Sequence, residues 1–177
     1  LLILILAVGL TAIIAPPNTN DVMSYHMSRI MHWIQNQSLD NHPVHNGCQL
    51  NHPPGAEYLV THLQILSGSD RLSNILQFLA LLLALVAISL ISRQLGADRK
   101  TQILSAFLTG TIPLMLLEGS SAKNHILSAA WLLIGISFLL KLRDEFRPKS
   151  IFFLSSAIGL SLLTKTTALF IFPPFLL

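Results

Sequence analysis

Long uncharged apolar segments alternate along the chain with short polar connections. Helices that cross a membrane need roughly 17–25 predominantly apolar residues, whereas a helix in a soluble protein carries a polar stripe that these segments lack. The pattern therefore predicts an all-α, polytopic transmembrane helical bundle in a single membrane domain. About five spans are expected, over 1–15, 72–92, 101–117, 125–141 and 150–177, the last of which includes the start of a further hydrophobic segment.

Both ends of the sequence interrupt apolar segments. Leu1 begins the first segment without the basic region that opens a secretory signal peptide, and the run from Phe172 to Leu177 stops among apolar residues. A terminal carboxylate placed in lipid would be costly. We therefore expect the chain to be a piece of a longer protein, cut at both ends and inactive by itself.

Composition and charge placement agree with a membrane protein and add an orientation. Charged residues make up only 11% of the chain, against about a quarter in a typical soluble domain, and a net charge of +3 does not indicate a nucleic-acid partner. By the positive-inside rule, the two most basic connections are cytoplasmic, which places 16–70 and 118–124 on the outer face. These connections contain Arg93, Arg99 and Lys100, and Lys141, Arg143, Arg147 and Lys149.

The first outer loop, residues 16–70, is long and is predicted to contain two short surface helices, over about 21–36 and 54–66. In the first helix, apolar residues recur with helical spacing, so one face suits the membrane surface. The recurring residues are Met23, Met27, Ile30 and Ile34.

The same loop contains six of the seven histidines and the only cysteine. The spacing of His42, His45, Cys48 and His52 is compatible with a zinc site, because Zn²⁺ takes His nitrogen and Cys sulfur ligands in fours. Scattered polar histidines in an irregular loop are the alternative. A single cysteine excludes an internal disulfide within this sequence.

Three ionisable residues are candidates for chemistry. Asp21 follows the first apolar segment, where a carboxylate could accept a proton from a hydroxyl group or simply cap a helix. Glu57 begins the second loop helix, where a structural role would be interaction with the helix N-terminus. Lys165 interrupts the last apolar segment, which suggests either a functional site or a side chain that reaches the headgroups.

Three segments carry a resemblance to a known family. The first is Pro16-Pro17-Asn18-Thr19-Asn20-Asp21-Val22-Met23-Ser24-Tyr25-His26-Met27-Ser28-Arg29, followed by His32-Trp33; the others are His52-Pro53-Pro54 with Glu57-Tyr58-Leu59, and Gly159-Leu160-Ser161-Leu162-Leu163-Thr164-Lys165-Thr166-Thr167. In order and spacing they resemble the bacterial membrane glycosyltransferases of the GT-C type. This group includes relatives of the protein O-mannosyltransferases and the lipid A aminoarabinose transferases.

The resemblance implies transfer of a sugar from a polyprenyl-phosphate carrier to a lipid, glycan or protein acceptor at the outer face. It implies an inverting single displacement with Asp21 as the base. Lys165, with Arg29 as a weaker second, would bind the donor phosphate. The other residues expected to bind substrate are Tyr25, His26, Glu57, Asn124 and His125.

One position departs from the family's pattern. Where relatives often have an Asn-Asp or Arg-x-Asp pair, this chain has Lys123-Asn124-His125, with Glu118 as the other acid nearby. The departure suggests a different donor or an inactive relative. It also leaves the use of a divalent metal open, so no cofactor is assigned.

Two other classes of function compete with the transferase. A transporter would place ionisable residues in several spans along a shared path, whereas only Lys165 lies within one. A non-catalytic subunit that binds a polyprenyl lipid is the second alternative. The expected location is multi-pass in a bacterial inner membrane, with the long loop outside.

Overall fold

A computed structural model describes residues 1–171, which are mainly helical and contain no strand. A short π-helical turn, Val22–His26, precedes the second α-helix. The α-helices in chain order are α1 Leu2–Ile14, α2 Met27–Asn36, α3 Cys48–Asn51, α4 Gly55–Ser67, α5 Ile75–Gln94, α6 Arg99–Gly110, α7 Pro113–Glu118, α8 His125–Asp144, α9 Pro148–Thr164 and α10 Ala168–Ile171. The last predicted span, 150–177, includes residues 172–177, which lie outside the described residues.

Two helices within residues 1–171 are long and apolar enough to cross a membrane, so the prediction of about five spans is wrong on this measure. They are α5, with a mean hydropathy of 2.6, and α8, with 1.8. Each has 20 residues, which gives about 30 Å of helix at 1.5 Å per residue and matches the hydrocarbon core of a bilayer.

The remaining apolar segments form shorter helices for identifiable reasons. The segment 101–117 divides into α6 and α7 at Pro113, which has no backbone N–H to continue a helix. Helix α1 has 13 residues. Helix α9 has 17 residues and ends before Lys165, whose backbone is extended (φ −158°, ψ 129°).

Helices α5 and α8 run parallel, and α9 runs antiparallel to both. Gln77 near the start of α5 contacts the start of α8, whereas Gln94 at the end of α5 donates to Ser137 Oγ at 3.1 Å. Ser161 of α9 meets Ser128 near the start of α8. The starts of α5 and α8 and the end of α9 therefore lie together, and we call this side of the bundle the loop-bearing end.

Small residues let the bundle helices approach closely. Ala80 and Ala84 of α5 and Ala130 of α8 are buried in one core around Leu81. Small side chains at such contacts increase van der Waals packing between helices that gain little from the hydrophobic effect in lipid. This packing holds the loop-bearing end in a fixed geometry.

The loop helices form a second apolar core above the bundle. Val22, Met27 and Ile30 pack with Val60 of α4 and with Ala122, just before α8. This core fixes the segment that contains Asp21 against the beginning of α8.

Helix α4 lies across the loop-bearing end. Gln64, near its C-terminus, donates to Ser73 Oγ at 3.0 Å, just before α5. At its N-terminus, a Cβ added to Gly55 would lie 2.8 Å from the backbone oxygen of Leu163 in α9. Any side chain there would therefore push α4 away from α9.

Candidate active site

A lysine ammonium joins two carboxylates at the loop-bearing end. Lys123 Nζ lies 3.1 Å from Glu118 Oε1 and 3.6 Å from Asp21 Oδ2. The side chain of Asp21 is 47% exposed, whereas that of Glu118 is 9% exposed. Asp21 therefore offers an accessible carboxylate, while Glu118 is a buried partner that holds the lysine in place.

Two further basic groups surround this pair of acids. His125 Nδ1 lies 3.4 Å from Glu118 Oε2, so the two oxygens of Glu118 face different basic side chains. Lys165, at the break after α9, lies within electrostatic range of Glu118, Lys123 and Asp21. The arrangement combines one accessible carboxylate with a concentration of positive charge.

A buried ionic cluster lies between the loop helices. Glu57 Oε1 is 2.7 Å from His26 Nδ1 and 3.7 Å from Arg29 Nη1, and all three residues are almost inaccessible to solvent. Three atoms in this cluster are buried without a hydrogen-bond partner, namely His26 Nε2, Arg29 Nη1 and Glu57 Oε2. A buried polar atom without a partner lowers the stability of the fold unless a bound molecule forms a hydrogen bond with it.

Arg29 also fixes the irregular part of the loop. Its Nη2 donates to the backbone oxygens of His52 at 3.0 Å and Cys48 at 3.4 Å, and its Nε donates to that of Gln49. Burial lowers the pKa of the guanidinium, while the Glu57 carboxylate opposes this shift. Arg29 is therefore engaged within the loop through Nε and Nη2, and its remaining nitrogen, Nη1, faces the Glu57 carboxylate at 3.7 Å.

Tyr25 lies over the buried cluster. Its ring centroid is 4.3 Å from that of His26 and 5.3 Å from that of His52. Burial, followed by the negative charge of Asp21, raises the pKa of the Tyr25 hydroxyl, which therefore remains protonated at neutral pH. The π-helical turn contains both Tyr25 and His26, and an added residue in a turn of this kind redirects the side chains that follow.

Asn124 and Gln77 position the start of α8. Asn124 Nδ2 donates to the backbone oxygen of Thr164 at 3.1 Å, which joins α8 to the break in α9. Gln77 Oε1 accepts from the backbone N–H groups of Ile126 and Leu127 at 3.0 and 3.2 Å. These are first-turn donors that the helix itself leaves unpaired.

The structure thus divides the residues predicted from sequence into two adjacent groups. Asp21, His125 and Lys165 surround the accessible site, whereas His26, Arg29 and Glu57 form the buried cluster beneath Tyr25. Asn124 anchors α8 through Thr164.

Sequence reasoning did not assign site roles to Glu118, Lys123 or Gln77. In the sequence, Glu118 is only the remaining acid near α8, and Lys123 is only part of a departure from the family's pattern. Gln77 had a detectable signal, since it is a polar residue in the first turn of an apolar helix. The pairing of Lys123 with Asp21 joins positions that are about a hundred residues apart, so local spacing could not reveal it.

The alternative zinc site is not assembled. Within residues 1–171, no group of three or more His, Cys, Asp or Glu residues is placed to hold a metal ion. His42 instead lies against His32, with ring centroids 4.1 Å apart, and close to the Gln49 amide. His52 packs on Tyr25.

The described helices include two that are long and apolar enough to cross a membrane, and the loop-bearing end combines an accessible carboxylate with several cationic side chains. The chain matches the family model described as dolichyl-phosphate-mannose-protein mannosyltransferase over residues 51–177, and it belongs to that family. The family consists of GT-C glycosyltransferases, so the chain is a glycosyltransferase by family. Neither a curated protein nor a solved structure gives a significant match.

The matched region contains most of the site but does not include Asp21. Glu57, Glu118, Lys123 and Lys165 lie inside the match, whereas Asp21 and the π-helical turn precede it. The contacts of Asp21 with Lys123 and of His26 with Glu57 attach the preceding segment to the matched one.

Proposed function

We propose that this protein transfers a sugar from a polyprenyl-phosphate donor to a hydroxyl acceptor at the outer face of the membrane, with Asp21 as the base. The observation that carries the proposal is the ion pair between Lys123 and Asp21. It places an accessible carboxylate beside a group of cations in the segment that the family model matches.

The reaction is a single displacement. The acceptor oxygen bonds to the anomeric carbon of the sugar as the bond from that carbon to the phosphate oxygen breaks. The proton of the acceptor hydroxyl goes to the Asp21 carboxylate, and the electron pair of the broken bond leaves with the polyprenyl phosphate. Attack from the opposite side inverts the anomeric centre.

The leaving group gains a negative charge during this step, so cations beside it lower the barrier. Lys165 supplies one, at the break after α9 where a lipid-linked phosphate reaches the loop-bearing end. Lys123 supplies a second, because its ammonium is shared between two carboxylates and can shift towards a phosphate without leaving Glu118. Arg29 is not assigned this role, because loop carbonyls engage its Nε and Nη2 and the Glu57 carboxylate lies 3.7 Å from its Nη1.

The base is tested with Asp21→Asn in the complete protein, assayed in membrane vesicles with a polyprenyl-phosphate sugar. We expect transfer to fall by roughly 10²-fold or more, because the amide cannot accept the proton. Asp40→Asn is the matched control, since Asp40 is an exposed acid of the same loop that contacts Ser38. Transfer at the normal rate by Asp21→Asn would remove Asp21 from the mechanism.

The phosphate contact is tested with Lys165→Ala. We expect a higher KM for the donor and a lower kcat, with the KM for the acceptor nearly unchanged, because the lysine contacts the leaving group alone. The matched control is Lys149→Ala, at an exposed position at the opposite end of α9. An unchanged dependence of the rate on donor concentration would contradict the role of Lys165.

A further inference from the structure

An apolar groove runs between α2 and α4, apart from the Asp21 site. Its volume is about 570 Å³, within the range of ligand-binding pockets. Its lining includes Trp33, Ile34, Leu39, Tyr58, Thr61 and Ile65. The rings of Trp33 and Tyr58 stack with centroids 5.3 Å apart and form a rigid aromatic wall.

The groove continues into a small polar pocket of about 70 Å³. Trp33, Leu39 and Tyr58 line both spaces. The polar pocket also contains Asn41, His42, Gln49 and His52, and His42 Nδ1 is buried there without a hydrogen-bond partner. An apolar channel that ends among convergent polar groups suits a molecule with a hydrocarbon chain and a polar head.

The charged groups that line the polar pocket determine which polar head group can bind there. Arg29 is the only Lys or Arg among the described residues that line the polar pocket, and Glu57 and three loop carbonyls engage it. A phosphate in this pocket would therefore meet one guanidinium whose charge is balanced by Glu57 and whose only unpaired nitrogen is Nη1, whereas amides, imidazoles and that nitrogen suit hydroxyl groups. The unpaired His26 Nε2 and Glu57 Oε2 lie in the cluster that Arg29 joins to the pocket.

Helix α4, which forms one wall of this groove, lies across the ends of α5 and α9. One end of α4 contacts Ser73, just before α5, and the other end contacts Leu163 in α9. Ile65, at the α5 side of the groove, is 63% exposed. A hydrocarbon chain can therefore enter from the bilayer near the start of α5 and point its head towards the loop.

We propose that this groove binds an uncharged hydroxylated amphiphile, a glycolipid-like molecule, and that this molecule is the acceptor of the sugar. Its role as acceptor rests on the proposed transferase function, whereas its binding does not. The hydrocarbon chain occupies the space between Trp33 and Ile65, and the hydroxyl groups face His42 and Gln49. The phosphate of the donor binds on the other side of the loop helices, beside Lys165 and Lys123.

Binding is tested by photolabelling the complete protein in lipid vesicles with an alkyl glucoside whose chain carries a diazirine. We expect labelled peptides from 27–39 and 55–67. Dodecyl glucoside should compete at least about tenfold better than either methyl glucoside or dodecyl phosphate. Equal competition by methyl glucoside would overturn the role of the chain, and better competition by dodecyl phosphate would assign the groove to a phospholipid.

Two adjacent substitutions separate the groove from the general membrane surface. Ile65→Arg places a charge inside the groove and should reduce labelling at least about fivefold. Leu66→Arg is the matched control, because Leu66 is 83% exposed and does not line the groove, and it should label normally. Equal labelling of the two variants would contradict the proposal.

The roles of groove and base are distinguishable. Asp21→Asn should retain full labelling, because Asp21 does not line the groove. If that variant transfers sugar normally while labelling persists, the proposed base is wrong and the groove stands. If transfer depends on Asp21 but Ile65→Arg neither labels less nor transfers more slowly, the groove is not the acceptor site.

Discussion

At the scale of single residues, Lys123 has the largest consequence for the chemistry. Without its ammonium, the carboxylates of Asp21 and Glu118 would face each other with no cation between them. Under the proposed mechanism, the same ammonium also stabilises the phosphate as negative charge develops on it. Lys123 therefore has two expected effects, on the orientation of the base and on the departure of the leaving group.

Lys123→Met should reduce kcat for sugar transfer by roughly 10²-fold, the usual cost of removing one charge-stabilising donor from an active site. Lys100→Met removes an exposed lysine at the other end of α5 and α8 and should have no effect on kcat. Rates measured at saturating donor and acceptor are the appropriate readout. A normal kcat with Lys123→Met would assign this lysine to packing alone.

We expect Glu57 to contribute mainly to the stability of the folded protein. Its carboxylate is the anionic partner of both Arg29 and His26 in a buried environment, and removing one partner of a buried ion pair typically costs about 3–5 kcal/mol. Glu57→Gln should therefore lower the thermal unfolding temperature of the protein in detergent or nanodiscs. Glu145→Gln breaks an exposed pair with Arg147 and is the control that should unfold normally.

At the scale of helices, the first turn of α8 depends on a side chain from α5. The backbone N–H groups of Ile126 and Leu127 donate to Gln77 Oε1 and would otherwise have no hydrogen-bond partner within α8. Since Lys123 and His125 flank this point, Gln77 indirectly sets the geometry of the charged site.

Gln77→Leu should destabilise the protein by about 2–3 kcal/mol, because it leaves buried donors unpaired. The control is Gln94→Leu on the same helix. Gln94 makes one side-chain bond, to Ser137, and its Oε1 is already unpaired, so the loss should be smaller. Unfolding temperatures of the two variants provide the comparison, and equal losses would refute the capping role.

Some features of the helices could be predicted from the sequence, and others could not. Uncharged segments predicted an all-α bundle because hydrophobic runs are a local property. They did not predict that Pro113 would divide one segment or that α9 would end at Lys165. Those outcomes depend on backbone hydrogen bonding at single residues.

The candidate site likewise contains residues that the sequence could indicate and contacts that it could not. Asp21 and Lys165 could be selected as candidates from sequence because each lies at an unusual point in the apolar pattern. The pairing of Asp21 with Lys123 could not, since it requires the packing of Val22 and Ile30 against Val60 and Ala122. The burial of Arg29 among loop carbonyls likewise could not be predicted from its place in the sequence.

At the scale of the whole molecule, the parallel arrangement of α5 and α8 has a consequence for topology. Both helices start at the loop-bearing end and finish beside basic connections, which contain Arg99 and Arg143. The chain between them must return to the loop-bearing end through α6 and α7. The charged site and the groove therefore lie at one end of the bundle, and the basic connections lie at the other.

The proposed outer location of the site can be tested with single cysteines introduced into the complete protein after replacement of Cys48 and any other cysteine. Ser69→Cys should react with a membrane-impermeant maleimide in intact cells, because it precedes α5 at the loop-bearing end. Arg99→Cys and Glu145→Cys should react only after permeabilisation, since they follow the two long helices. If Arg99→Cys reacts in intact cells and Ser69→Cys does not, the base and the acceptor groove face the cytoplasm. Sugar transfer would then take place on that side, and the orientation inferred from the basic connections would be wrong.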